Sequence, residues 1–276
     1  MELHHIRRGH GQPLLLIHGI GGSWRSWNPI LDALAARREV IALDLPGHGQ
    51  SPALPGENSF YSLTDAVEAW LRAEGLTGVA CVGSSMGARM VLELARRGAV
   101  GATVALDPGG FWQGWQVPAF YYSVAGSVRL LRAAEPLLPA LTGNALTRTL
   151  LLAQFSARPW RLPAQVALTE LRSFVHTPVF DELLRHLAYG PRQEGAPRGS
   201  LRAPLVIGWG RQDRVCFPSQ ARRATAAFPD AALYWFDRCG HFPHWDQPAE
   251  TVALILAATK PLAVDAAVAP GTSAAQ

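Results

Sequence analysis

Short apolar runs alternate with amphipathic stretches over the first hundred residues. Leu14 to His18, Val40 to Asp44 and Val79 to Gly83 are compact and apolar, bounded by turn-forming residues, and read as buried strands. Between them, Trp27 to Ala36, Leu63 to Glu74 and Met86 to Arg97 carry apolar residues at helical spacing. Strand and helix in alternation predict an α/β chain with a mostly parallel central sheet covered by helices on both faces. One further strand, at about Leu3 to Arg7, precedes the turn at Gly9 to Gln12. Thr103 to Leu106 continues the series, and then the rhythm breaks at Phe111.

From Phe111 to about Gly199 helical segments succeed one another: Val128 to Ala134, Asn144 to Phe155, Ala164 to Phe174 and Val179 to Ala188. The last follows Thr177-Pro178 and carries Asp181 and Glu182 in its first turn, where they favour the helix dipole. Pro191 to Pro204, rich in Gly, Pro and Arg, leads back to strands before Gly210 and at Leu233 to Phe236. The expected organisation is a core of residues 1–110 and 201–260, an inserted helical cap over 111–200, and a disordered Ala/Pro/Gly/Ser tail over 261–276.

Composition narrows the classes. With 276 residues and a hydrophobic fraction of 49% the chain can build one large core with a lid. No apolar stretch reaches the roughly 18 residues that span a bilayer, and the polar start lacks a signal-peptide core, so a cytoplasmic location is expected. Cys81, Cys216 and Cys239 are sparse and odd in number, which argues against disulfides. The net charge of +4 comes from scattered arginines with Lys260 the single lysine, so no nucleic-acid stripe is expected. His4-His5 beside Arg7-Arg8 lacks companions at metal-ligand spacing and reads as a solvated strand.

Candidate chemistry sits at the strand ends. Gly83-Ser84-Ser85-Met86-Gly87 joins a strand to a helix and matches the G-x-S-x-G elbow, which makes Ser85 the candidate nucleophile. After the strand ending at His18, Gly19-Ile20-Gly21-Gly22 forms a turn whose Ile20 N–H, with that of Met86, can make an oxyanion hole. This turn satisfies neither the dinucleotide fingerprint nor the P-loop, so no cofactor is expected. Asp213 follows a late strand and His241 follows the final one, giving the order Ser, acid, His. Asp107, after Thr103 to Leu106, is a second candidate acid, and His244 a second candidate base. His48 and His18 read as structural: one shapes the Pro-Gly-His-Gly turn, the other braces the Gly19 turn.

On these motifs, together with Asp44-Leu45-Pro46-Gly47-His48-Gly49-Gln50-Ser51, the chain resembles the α/β-hydrolase superfamily, in the serine-nucleophile branch with a helical cap. The resemblance implies hydrolysis of an ester, thioester, amide or activated carbon–carbon bond. Family members often have two strands before the Gly9 turn, where this chain has room for one. A carboxylesterase with a Ser85-His241-Asp213 triad is the leading expectation, its small-molecule substrate bearing an apolar or aromatic acyl group. Trp112, Phe120 and Phe242 are the expected pocket residues. A hydrolase of a vinylogous diketone, a cofactor-free perhydrolase and, outside the enzymes, a ligand receptor on the same fold are the alternatives.

Overall fold

The computed structural model describes residues 1–260. The expected tail, 261–276, lies outside the described residues. Seven strands form one sheet: β1 (His5–Arg8), β2 (Pro13–Ile17), β3 (Glu39–Leu43), β4 (Ala80–Ser84), β5 (Thr103–Leu106), β6 (Leu205–Gly210) and β7 (Ala232–Phe236). Their order is β1-β3-β2-β4-β5-β6-β7, and every neighbouring pair is parallel except β1 with β3. On the edge strand β1, Arg7 pairs with Glu39 and Glu74, and Arg8 with Asp32.

Successive strand residues point to opposite faces, and each face is covered. Leu15, Ile17, Ile41, Leu43 and Cys81 face α2 (Phe60–Ala73) and α3 (Met86–Arg96). Leu14, Leu16, Val40, Ala42, Val82 and Val104 face α1 (Asn28–Ala35), and Ile255 from a C-terminal helix joins the same cluster. The helix starts are locally encoded. Ser59 accepts from the Ser62 N–H and Ser62 bonds back, a reciprocal cap that begins α2 three residues before the apolar repeat suggests.

Between β5 and β6 lie α4 (Gln116–Ala133), α5 (Leu138–Gly143), α6 (Ala145–Leu152), α7 (Ala164–His176) and α8 (Phe180–Tyr189). The pattern had foreseen only the last part of α4. Its first turns carry Phe120-Tyr121-Tyr122, poor helix formers that packing holds in a helix anyway. Asn144 caps α6 by accepting from the Leu146 N–H. This insertion has no separate interior: Phe120, Phe155, Leu171 and Phe180 belong to the same apolar cluster as α2 and α3. After β6 come α9 (Ala221–Ala227), α10 (Pro243–Asp246) and α11 (Pro248–Ala258). No helix among the described residues is long and apolar enough to cross a membrane.

Candidate active site

Ser85 stands between the last residue of β4 and the first of α3 with φ 58° and ψ −114°, a conformation that L-residues rarely adopt. The flanking glycines make the bend possible. A side chain at Gly83 would come within 2.1 Å of the Gly87 carbonyl oxygen, and one at Gly87 within 2.2 Å of the Ile17 carbonyl oxygen. The Ser85 N–H donates to the Leu106 carbonyl at 2.9 Å, which anchors the bend to β5. The strained turn lifts the hydroxyl off the sheet's end.

Ser85 Oγ lies 2.8 Å from His241 Nε2, and His241 Nδ1 lies 2.8 Å from Asp213 Oδ2. The Asp213 carboxylate only accepts, so Nδ1 carries the ring proton and Nε2 is free to accept from the serine. The other oxygen, Oδ1, accepts from the N–H groups of Val215 at 2.7 Å and Cys216 at 3.0 Å, which fixes the carboxylate plane. The loop carrying the histidine is clasped twice. His241 N–H donates to the Phe155 carbonyl at 2.8 Å, and the Asp246 carboxylate accepts from Gly240 N–H at 2.7 Å, Ala157 N–H at 2.8 Å and the Ser156 hydroxyl.

The second candidates sit elsewhere. Asp107 is fully buried after β5, and its Oδ1 accepts from Gly210 N–H at 2.8 Å. Burial, followed by the charge of neighbouring Asp213, pushes its carboxyl well above the usual range, which favours the protonated form. It makes no hydrogen bond to His241. His244 packs 4.9 Å from the Trp27 ring, and neither of its ring nitrogens has a partner among the described residues. Burial lowers it to about 3, so it stays neutral.

The turn after β2 reaches the same point. A side chain at Gly19 would come within 3.0 Å of Ser85 Cβ, a tight contact that glycine avoids. Among the described residues the N–H groups of Ile20 and Met86 have no acceptor. His18 braces the turn: its Nδ1–H donates to the Gly19 carbonyl at 2.7 Å, and its Nε2 accepts from Leu45 N–H at 3.0 Å. Burial holds this ring neutral, at about 4. His48 donates from Nδ1 to the Pro46 carbonyl at 2.9 Å and serves its own turn.

Ser85 and His241 open onto a narrow cavity of about 30 Å³ under the helical insertion. Phe120 and Phe242 line it, with Phe155, Phe174, Phe180 and Trp27. Trp112 does not. It stacks at 4.1 Å on Phe120 and so backs a lining residue instead of being one. One titratable lining residue was missed by the sequence reading: Glu170 on α7, 4% exposed, whose oxygens lie 2.8 and 2.9 Å from Ser26 Oγ. Burial raises its carboxyl to about 7.

Ligand atoms of Asp213, Cys216 and His241 lie within 4.8 Å of one another. Both His241 nitrogens are already engaged, and burial holds the Cys216 thiol well above its usual range, where it is a poor metal ligand. The donor chemistry does not suit a metal site.

The whole stretch from residue 14 to 254 matches the model of the Alpha/beta hydrolase family. The chain belongs to this family. Among curated relatives, the dihydrolipoyllysine-residue acetyltransferase component of the acetoin cleaving system of Pseudomonas putida is 30% identical over 84% of this chain, which spans 59% of that protein's length. The 2-hydroxy-6-oxononadienedioate/2-hydroxy-6-oxononatrienedioate hydrolase 2 of Pseudomonas putida is 27% identical, covering 93% of this chain and 91% of its own. A thermophilic esterase from Thermogutta terrifontis superposes with a TM-score of 0.70 at 19% identity, over 92% of this chain and 91% of the other, a likeness of fold.

Proposed function

We propose that the chain is a serine hydrolase acting on carboxylic esters, with Ser85 as nucleophile, His241 as general base and then acid, and Asp213 as the group that orients the imidazole. One observation carries the reading: the unbroken hydrogen-bonded run Ser85–His241–Asp213, with 2.8 Å at both links, ending at an apolar cavity. His241 Nε2 takes the serine proton as Oγ attacks the ester carbonyl, and the N–H groups of Ile20 and Met86 receive the developing oxyanion. The imidazolium then protonates the departing alkoxide. Water, deprotonated by the same nitrogen, hydrolyses the acyl-enzyme and restores the serine. The insertion serves as the cap that closes over the acyl group.

Ester hydrolysis is preferred over cleavage of a dienedioate, the substrate class in the name of one relative. Among the described residues no Arg or Lys lines the cavity to offset a buried carboxylate. The test is covalent labelling by a fluorophosphonate, alongside turnover of p-nitrophenyl esters and a vinylogous diketone. Labelling at Ser85, abolished in Ser85→Ala, together with ester turnover is the expected result. Labelling elsewhere, or substantial turnover by folded Ser85→Ala, would overturn it.

A further inference from the structure

The cavity holds more polar chemistry than the hydrolytic machinery uses. Glu170 lies on the insertion side of the space, and Ser26 is its sole hydrogen-bond partner among the described residues. Ser26 has a single hydroxyl proton to give, so the carboxylate keeps most of its accepting capacity. Trp27 Nε1, both nitrogens of His244 and Ser84 Oγ, all buried and all from cavity-lining residues, likewise lack partners among the described residues. Trp27 Nε1–H can only donate and so suits an acceptor, whereas the Glu170 carboxyl is the group on this cavity among the described residues able to receive a cation.

We propose that this end of the cavity is a subsite for a protonated amine, with Glu170 as its counter-ion, so that the substrate carries an ammonium group on the part that fills the cavity. The proposal rests on the hydrolase reading for the word substrate, while the binding site stands independently of it. Three features select a cation. Among the described residues the lining offers one acidic side chain and no Arg or Lys, so a bound cation meets a counter-ion and no arginine or lysine beside it. Six aromatic rings, of Trp27, Phe120, Phe155, Phe174, Phe180 and Phe242, surround the space, and ring faces attract cations. Finally, Ser26 donates a single proton to Glu170, so the carboxyl can give up its own proton and still accept from a cation. An apolar chain joining the amine to the reacting carbonyl suits the remaining lining.

The other titratable groups on this cavity are His18, His241 and His244. Burial keeps His18 and His244 neutral, at about 4 and 3. Glu170, raised to about 7, is mostly protonated at pH 6 and must release its proton when an ammonium binds beside it.

The test is calorimetric titration of the wild-type chain with n-hexylammonium, n-hexanol and hexanoate, none of which is hydrolysed. Hexylammonium should bind at least about tenfold more tightly than hexanol, and hexanoate more weakly than either. At pH 6, titrations in two buffers of different ionisation enthalpy should show about one proton released per hexylammonium. In Glu170→Gln, which keeps a hydrogen bond to Ser26, the preference should fall to within about twofold and the proton release should vanish. Hexanol binding as tightly as hexylammonium, a preference surviving in Glu170→Gln, or no proton release from the wild-type chain would each overturn the subsite. Fluorophosphonate labelling of Ser85 reports the hydrolase reading separately, so either can fail without the other.

Discussion

The backbone N–H of His241 donates to the carbonyl of Phe155 at 2.8 Å, so the candidate base hangs from the helical insertion and not from the sheet alone. Asp246 reinforces the clasp from beneath by receiving Gly240, Ala157 and Ser156 on one carboxylate. Docking of the insertion and placement of the imidazole are therefore one structural event.

Asp246→Ala should leave these three donors without an acceptor in a site that is 7% exposed. A loss of about 3 kcal/mol in denaturant-unfolding stability is expected, with kcat lowered at least about tenfold because the imidazole is less well placed. Asp246→Asn should cost far less. Its carbonyl can keep the Gly240 and Ala157 bonds while its amide turns to Ser156.

Asp213→Asn should lower kcat by about 10³ to 10⁴ with KM little changed, because an amide at this place favours the wrong imidazole tautomer. Asp107→Asn should stay within about threefold of wild type, since an amide imitates the protonated carboxyl that burial enforces there. Steady-state kinetics on both variants decide the matter. A reversed pattern would move the acid to the end of β5.

Glu170 links stability to pH with a definite sign. Burial raises its carboxyl in the folded chain to about 7 from an ordinary value of 4.5, so the folded state holds this proton more tightly. The contribution is complete below about pH 4.5 and is lost as pH rises to 7, amounting to about 3 kcal/mol. Glu170→Gln should accordingly gain stability over wild type between pH 5 and pH 8, as urea unfolding at the two values would show. A difference independent of pH would mean that the carboxyl is not raised.

Acyl length supplies a test of the cavity. For uncharged p-nitrophenyl esters, kcat/KM should rise by a factor of a few per added methylene, each worth about 0.8 kcal/mol when buried. It should fall once the chain outgrows the space. A succinyl or glutaryl ester of matched length should be disfavoured throughout, because no Arg or Lys among the described residues lines the cavity.

What the sequence disclosed follows from how local each constraint is. The elbow is legible because a serine at positive φ, crowded by β2 and α3, needs glycine on both sides within five residues. Asp213 and His241 stand out as candidates because each follows a recognisable strand. The contents of the cavity were not legible, since the direction of an aromatic side chain is set by packing across the fold. Trp112 and Phe120 looked equivalent, yet one stacks behind the other. Glu170 did leave a trace: with Ala167, Leu171 and Phe174 it occupies the buried face of α7, a charged residue on an apolar stripe. Its bond to Ser26, far away in the chain, has no sequence signature at all.

The edge strand β1 bears on how copies of this chain behave towards one another. An open sheet edge is a template on which another chain can add a strand and begin to aggregate. Here the edge is only four residues long, runs antiparallel to its neighbour, and carries two arginines held by acidic partners on β3, on α1 and just past the end of α2. An incoming strand would have to desolvate or displace those ion pairs for a handful of backbone bonds. Charge thereby opposes growth of the sheet on that side, and high salt, which screens such pairs, is the condition under which self-association through β1 becomes least opposed.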